Sequence, residues 1–364
     1  MENPKRLQSS SAAVRRVPAN AVINSYAALL REVHSAGLLN RRRGFYIMTF
    51  AALCAALAAS WAALALLRPS WYVLLFAALL GVVFTQFAFL AHEASHHQIF
   101  SSAAVNDWSA RVMGVALVGI SYAWWIDKHG RHHVNPNTVG KDPDIAFDAI
   151  LFTPERAAQR QGFKAALTRR QGYLFFPLLL LEGLSLHLKS FQYLLGPDRV
   201  SWGRLELTLM TTRFALYAGG LFWLLPPVMA GVFIAVQFAV FGLYMGASFA
   251  PNHKGMAIIR PGGKLDFLSR QVLTSRNIRG GWFINMLMGG LNFQIEHHLF
   301  PDMARPQLRL AQRLVREHCH RQDIRYTQTS LMHSYVLVVQ YLNRVGLAAR
   351  DPFECPVVSR LRRW

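Results

Sequence analysis

Apolar positions along this chain gather into long uncharged runs. Tyr46 to Leu67 (YIMTFAALCAALAASWAALALL) is 22 residues without a charge, and Trp71 to Ala91 is 21 more. Only Arg68, Pro69 and Ser70 separate them. At a rise of about 1.5 Å per residue, each run as a helix crosses a hydrocarbon core of about 30 Å. The pair predicts a transmembrane hairpin with a tight turn. Phe214 to Ala250 is uncharged for 37 residues and is broken by Pro226-Pro227. It predicts a second hairpin, whose first arm begins near Leu205 and leaves Arg213 to snorkel at the membrane edge. The expected spans are thus about 46–67, 71–91, 207–226 and 228–250. Val112–Ile126 and Gly172–Leu195 are shorter, or interrupted by Glu182, His187 and Lys189, and read as interfacial helices. This gives an all-α membrane protein with four transmembrane helices in two hairpins. Residues 1–40 form an N-terminal segment, 41–320 the membrane domain and 321–364 a C-terminal tail. No small-residue cleavage site follows a short apolar stretch, so a cleaved signal peptide is not expected.

Charge changes the picture by fixing an orientation. The chain is 53% hydrophobic and 16% charged, yet its formal net charge is +20. A chain this apolar is not disordered. Three scattered cysteines, Cys54, Cys319 and Cys355, do not make a disulfide framework. Arg41-Arg42-Arg43 abuts the first run; Arg169, Arg170, Arg199 and Arg204 precede the third, and the stretch after Ala250 is rich in Arg and Lys. The two hairpin turns hold one cation, Arg68. Positive residues stay on the cytoplasmic side, so both termini and every long loop are expected there, in the cell (inner) membrane. No nucleic-acid motif accompanies the charge, and a nucleic-acid partner is not expected.

Fourteen histidines carry the candidate chemistry. His34, His187, His318, His320 and His333 are scattered and read as surface or interfacial residues. The other nine fall at expected cytoplasmic membrane edges: His92, His96 and His97; His129, His132 and His133; His253; and His297 with His298. On a helix, positions i, i+3 and i+4 share a face. Each group therefore aims two or three imidazoles at one point, and nine imidazoles suffice for two metal ions. Neutral imidazole suits iron, zinc or copper, so ligand type alone does not name the metal. His92-Glu-Ala-Ser-His96 is also a literal HExxH, with Glu93 as the general base of a zinc protease. That reading leaves two histidine groups and His253 idle. A carboxylate-bridged bundle needs two ExxH motifs, and among these nine histidines only Glu93–His96 fits.

HEASHH, HGRHH and QIEHH resemble the three histidine boxes of the integral-membrane fatty acid desaturase family. FAPNHKGM (Phe249–Met256), RQVLTSRNIRGG (Arg270–Gly281) and GGLNFQIEHHLFP (Gly289–Pro301) extend the likeness, which is nearest to bacterial, especially actinobacterial-type, acyl desaturases and covers about residues 40–320. The resemblance implies a non-haem di-iron enzyme with a cytoplasmic helical cap over the two metals. It implies use of O2 and two electrons to place a double bond in a long acyl chain carried on CoA, a carrier protein or a lipid ester. As metal ligands it implies His92, His96 and/or His97, His129, His132, His133, His253, His297 and His298. The last box begins with Gln294, as in front-end desaturases, which leaves Gln294 as a weak ligand, a group behind the ligands or neither. Asn252 is a candidate holder of a metal-bound water. Imidazole ligands need acceptors that fix their tautomers. Glu93, Asp142, Asp144, Asn292 and Glu296 lie close enough in sequence to serve, or to be ordinary caps and surface charges. Tyr122, Trp124, Trp125, Trp282 and Phe293 flank the boxes as candidate lining for an acyl tunnel, with an interfacial aromatic belt as the other reading. No HPGG-type or GxGxxG segment occurs, so the expected electron donor is a separate protein, a ferredoxin or flavoprotein reductase. A lipid or alkane hydroxylase on the same scaffold is the nearest alternative.

Overall fold

The computed structural model describes residues 19–67, 69–198 and 200–349. Residues 1–18 of the expected N-terminal segment, Arg68, Arg199 and the end of the tail with Cys355 lie outside them. The apolar runs become long helices. After α1 (Ala19–Ser35) come α2 (Arg43–Leu66) and α3 (Val73–Ser95), the expected first hairpin. Large apolar side chains stay uncovered along α2, among them Ile47, Met48 and Leu66, as a helix facing lipid requires. Helix α4 (Ala103–Arg111) runs into a π-helix, Val112–Val118, which ends at Gly119 with φ +93. The chain then turns through 114° into α5 (Tyr122–Val134). Short helices α6 (Pro154–Ala157) and α7 (Gly162–Arg169) lead to α8 (Gln171–Leu179) and α9 (Glu182–Leu194), which meet at 72°. The second hairpin is α10 (Gly203–Leu224) and α11 (Pro227–His253).

Among the described residues, α2, α3 and α11 are long and apolar enough to cross a membrane. Counting each bent pair as one span raises that to five. Four were expected. The 22-residue α10 is long enough, but Thr208, Thr211, Thr212 and Arg213 lower its hydropathy below that of the other three. Arg213 is buried within the protein: its Nε donates to Leu117 O at 3.1 Å and its guanidinium lies over the Phe84 and Tyr217 rings.

One apolar core, with Leu80, Phe84, Phe87, Phe233 and Phe241 at its centre, joins α3 to α11. Helices α9 and α11 approach backbone to backbone: a Cβ on Gly242 would lie 2.4 Å from Gly183 N. A second core lies under α1, α12 (Phe267–Leu273), α14 (Gln294–Leu299) and α15 (Arg305–Arg321). Hydrogen bonds tie it to the first hairpin and the turn after it: Arg305 N donates to Tyr46 Oη at 2.9 Å, and Gln98 Nε2 donates to Pro301 O at 2.8 Å. Little sheet is present. Strand β1 (Asn277–Arg279) pairs in parallel with β2 (Gln328–Ser330), flanking α13 (Trp282–Leu287) and preceding α16 (Leu331–Gly346).

Candidate metal centre

Four elements aim histidines at one place: the end of α3, the last turns of α5, the end of α11, and α14. Each of these ends needs local support. In α11, Pro251 has no N–H, so Ala247 O loses its helical donor. The Tyr335 hydroxyl donates to that carbonyl at 3.0 Å. The Arg276 guanidinium, itself buried, donates to Pro251 O at 2.8 Å through Nε. The turn carrying His253 is thereby held although its ladder is broken.

Ligand atoms of His92, His96, His129, His133 and His297 lie within 4.8 Å of one another, as do those of His132, His253 and His298. His129 Nε2 is 2.9 Å from His92 Nε2 and 3.0 Å from both His96 Nε2 and His133 Nε2. A single imidazole nitrogen carries one proton or one lone pair, so it cannot satisfy three such neighbours by hydrogen bonds. The Nε2 atoms of His297 and His298 are buried with no partner at all. Converging lone pairs and orphaned buried nitrogens fit cations shared by these rings. Burial holds the His96, His297 and His298 imidazoles far toward the neutral form, His96 down to about 3, with neighbouring histidines adding to it. Neutral imidazole is the form that binds metal.

Behind the rings the Nδ1 atoms have partners that fix their orientation. His132 Nδ1 is 3.0 Å from Asp142 Oδ1, which also accepts from Asp144 N at 2.8 Å. His253 Nδ1 faces Thr274 O at 3.0 Å, and His298 Nδ1 faces Gln271 Oε1 at 2.9 Å. Sequence reasoning did not single out Gln271, Thr274, Arg276 or Arg305; the first three lie in the RQVLTSRNIRGG stretch, whose likeness to desaturases was the available signal.

His97 is not brought into either cluster. It takes φ +56, and its Nε2 lies 2.8 Å from Asp107 Oδ1, away from the other rings. Glu93 does not face the cluster as a free base. Arg305 holds it with Nε and Nη2 at 2.5 Å each, both residues buried. The protease reading therefore lacks its base. Asp144 pairs with Lys128 and stands 3.5 Å from His132 Nδ1. Gln294 Nε2 donates to His253 Nε2 at 2.9 Å, while its Oε1 accepts from Asn252 Nδ2 at 3.1 Å. Asn252 Oδ1 and both side-chain polar atoms of Asn292 are buried without a partner. Glu296 faces away from the imidazoles, accepting from Asn277 at 2.6 Å and from Tyr326 Oη at 2.8 Å; burial lifts its carboxyl to about 7. Of the scattered five, His187 and His318 are buried, not at the surface: His187 Nδ1 binds Gly119 O, and His318 Nε2 lies 2.8 Å from Ser25 Oγ.

A cavity of about 330 Å³ opens against His129, His132 and His253, a size suited to an organic ligand. A smaller void of about 30 Å³ lies beside His92 on the far side of Trp125, Met245 and Phe249, which line both. Tyr122 lines the smaller one and donates to Asp107 at 2.6 Å. Trp125 stacks on His129 with centroids 4.7 Å apart. The other three aromatic candidates line neither space: Trp124 is buried in the α3–α11 core, Phe293 in the second core, and Trp282 is 72% exposed.

The family model for "Fatty acid desaturase" matches residues 69–330. The Delta(8)-fatty-acid desaturase of Borago officinalis is 27% identical across 91% of this chain and 77% of its own. The Delta(6)-fatty-acid desaturase fat-3 of Caenorhabditis elegans is 27% identical, covering 89% and 75%. The acyl-lipid (9-3)-desaturase of Physcomitrium patens is 30% identical over 84% of this chain, which spans 60% of that relative. A match over most of the chain, with the imidazoles of all three boxes drawn to one place, leaves one conclusion: the chain belongs to the fatty acid desaturase family, a family of oxidoreductases.

Proposed function

We propose that the protein is a membrane-bound di-iron fatty acyl desaturase that uses O2 and two electrons to insert a double bond into a long acyl chain. The single observation that carries this reading is the double cluster of largely buried imidazoles opening on a largely apolar cavity. His92, His96, His129, His133 and His297 would hold one iron, and His132, His253 and His298 the other, with Gln294 beside it. Bound iron supplies the oxidising power that hydrogen removal from an unactivated methylene demands, which no side-chain acid or base provides. The chain's own residues do the rest. Asp142, Thr274 O and Gln271 orient imidazoles; Trp125, Met245 and Phe249 exclude water and narrow the space beside the rings. Asn252 Oδ1, buried and unpartnered, suits a water at the second cluster.

In this reading α10 is the fourth span. The membrane is the cell (inner) membrane, and the basic residues place the termini and the histidines on its cytoplasmic side. A separate ferredoxin or flavoprotein reductase delivers the electrons. The test is lipid analysis of cells expressing the protein with a competent donor. A new unsaturated acyl species, absent in His132→Ala, supports the reading. A hydroxylated product with unchanged unsaturation overturns it, as does one zinc and no iron per purified chain.

A further inference from the structure

Helix α9 is amphipathic with its apolar face outward, as suits a helix beside lipid, and its polar face turned into the protein. Glu182, Ser185, Leu186 and Lys189 stand at i, i+3, i+4 and i+7, one helical stripe, and all four line the 330 Å³ cavity. Leu184 and Leu188, on the other face, are 45% and 51% exposed. The inward polar stripe faces a space walled in part by Phe147, Phe152, Phe175 and Leu179.

The other charges of that cavity are already matched. Lys128 pairs with Asp144, and Lys254 Nζ donates to Asp144 O at 2.9 Å. Those of the stripe attract one another across the helix but form no hydrogen bond. Neither Glu182, Ser185 Oγ nor Lys189 has a side-chain hydrogen bond to any described residue; the Lys189 ammonium rests 3.8 Å over the Phe147 ring. Polar groups turned into an apolar cavity without partners are costly, and an occupant with matching polar atoms offsets that cost. Glu182 and Lys189 lie about 10 Å apart along the helix axis, so the occupant has an extended polar end. Its remainder is apolar, because Phe147, Ile150, Phe152, Phe175, Leu179 and Phe249 supply most of the rest of the wall on the way to the imidazoles.

We propose that Glu182, Ser185 and Lys189 form the head-group subsite of the acyl substrate. This rests on the desaturase reading of the cavity above. Ser185 and Lys189 donate to the acyl carbonyl of an ester or thioester, and Glu182 accepts from the polar group beyond it. Anchoring the carbonyl on α9 fixes which methylenes reach the histidine clusters at the other wall of the same cavity.

The test separates head from tail. Ser185→Cys is made in the full chain, and the rate at which a thiol reagent labels the introduced thiol in detergent is compared with the parent chain, which has its own cysteines. Protection is measured with a long-chain acyl-CoA, a phosphatidylcholine of the same chains, and the matching n-alkane. At least one head-bearing probe is expected to slow labelling about tenfold, the equivalent of 1.4 kcal/mol, while the alkane does not. Which of the two protects distinguishes thioester from glycerolipid. Adding Lys189→Met abolishes protection, and Lys189→Arg retains it. Equal protection by the alkane, or none by either head-bearing probe, overturns the subsite. In cells, Lys189→Met raises KM more than it lowers kcat and spreads the double bond over neighbouring positions; a single unchanged position at unchanged KM also overturns it. A wild type that makes no unsaturated product refutes the desaturase reading, and the labelling comparison still decides the subsite.

Discussion

Asp142 does three jobs with one carboxylate: Oδ2 accepts from Asn137 N at 2.7 Å, and Oδ1 caps the backbone at Asp144 and holds His132 Nδ1, which leaves His132 Nε2 free for the second cluster. Asp142→Asn keeps the capping oxygen but weakens the hold on the imidazole. Metal affinity is expected to fall about 10- to 100-fold, read as iron per purified chain, with the fold intact by circular dichroism. The Glu93–Arg305 pair shows the opposite balance. It is fully buried and touches no metal ligand atom, so Glu93→Gln strands a buried guanidinium at a cost of about 3–5 kcal/mol. A large drop in thermal midpoint is expected for Glu93→Gln, partly restored in the double variant Glu93→Gln/Arg305→Met. The histidine identities were legible in the sequence because i, i+3 and i+4 spacing is a local signal. What was not legible is which neighbour a side chain turns toward. His96 and His97 differ only in that a positive φ at His97 swings its ring to Asp107. Glu93 sits between histidines in sequence, yet its partner is more than 200 residues away.

Among the elements, the apolar runs gave α2, α3 and α11 with good boundaries, since a run without charge over twenty residues has one stable form in lipid. The bent pairs were harder. The 114° turn after the π-helix depends on Gly119, where a Cβ would meet the Phe214 ring at 2.8 Å, a contact between segments far apart in sequence. The partner of Arg213 was hidden for the same reason: its acceptor, Leu117 O, belongs to the π-helix before that distant turn. The crossing of α9 and α11 is similarly set by tertiary contact. Gly242→Leu drives a side chain into the Gly183 backbone and pushes the two helices apart. It is expected to cost about 1–3 kcal/mol and to lower the thermal midpoint, with Gly242→Ala intermediate.

For the whole molecule, acid sensitivity follows from burial of neutral imidazoles. His96 has a folded value of about 3 against an ordinary 6.5, and His297 and His298 are lowered as well. Below 6.5 the unfolded chain takes up protons that the folded chain refuses, so folding stability is full above that pH and is lost as pH falls toward 3. Metal-free protein is therefore expected to show a denaturation midpoint that drops steeply between these limits, and His96→Ala flattens the slope. A midpoint independent of pH in this window refutes the neutral cluster. The same cluster is uneven, five imidazoles on one side and three on the other. Unequal numbers of donors mean unequal appetite for a cation. On the di-iron reading proposed above, loading is expected to be stepwise: a titration of the stripped protein with ferrous ion should show two successive affinities, and a chain with only its tighter side filled should accumulate whenever iron is scarce.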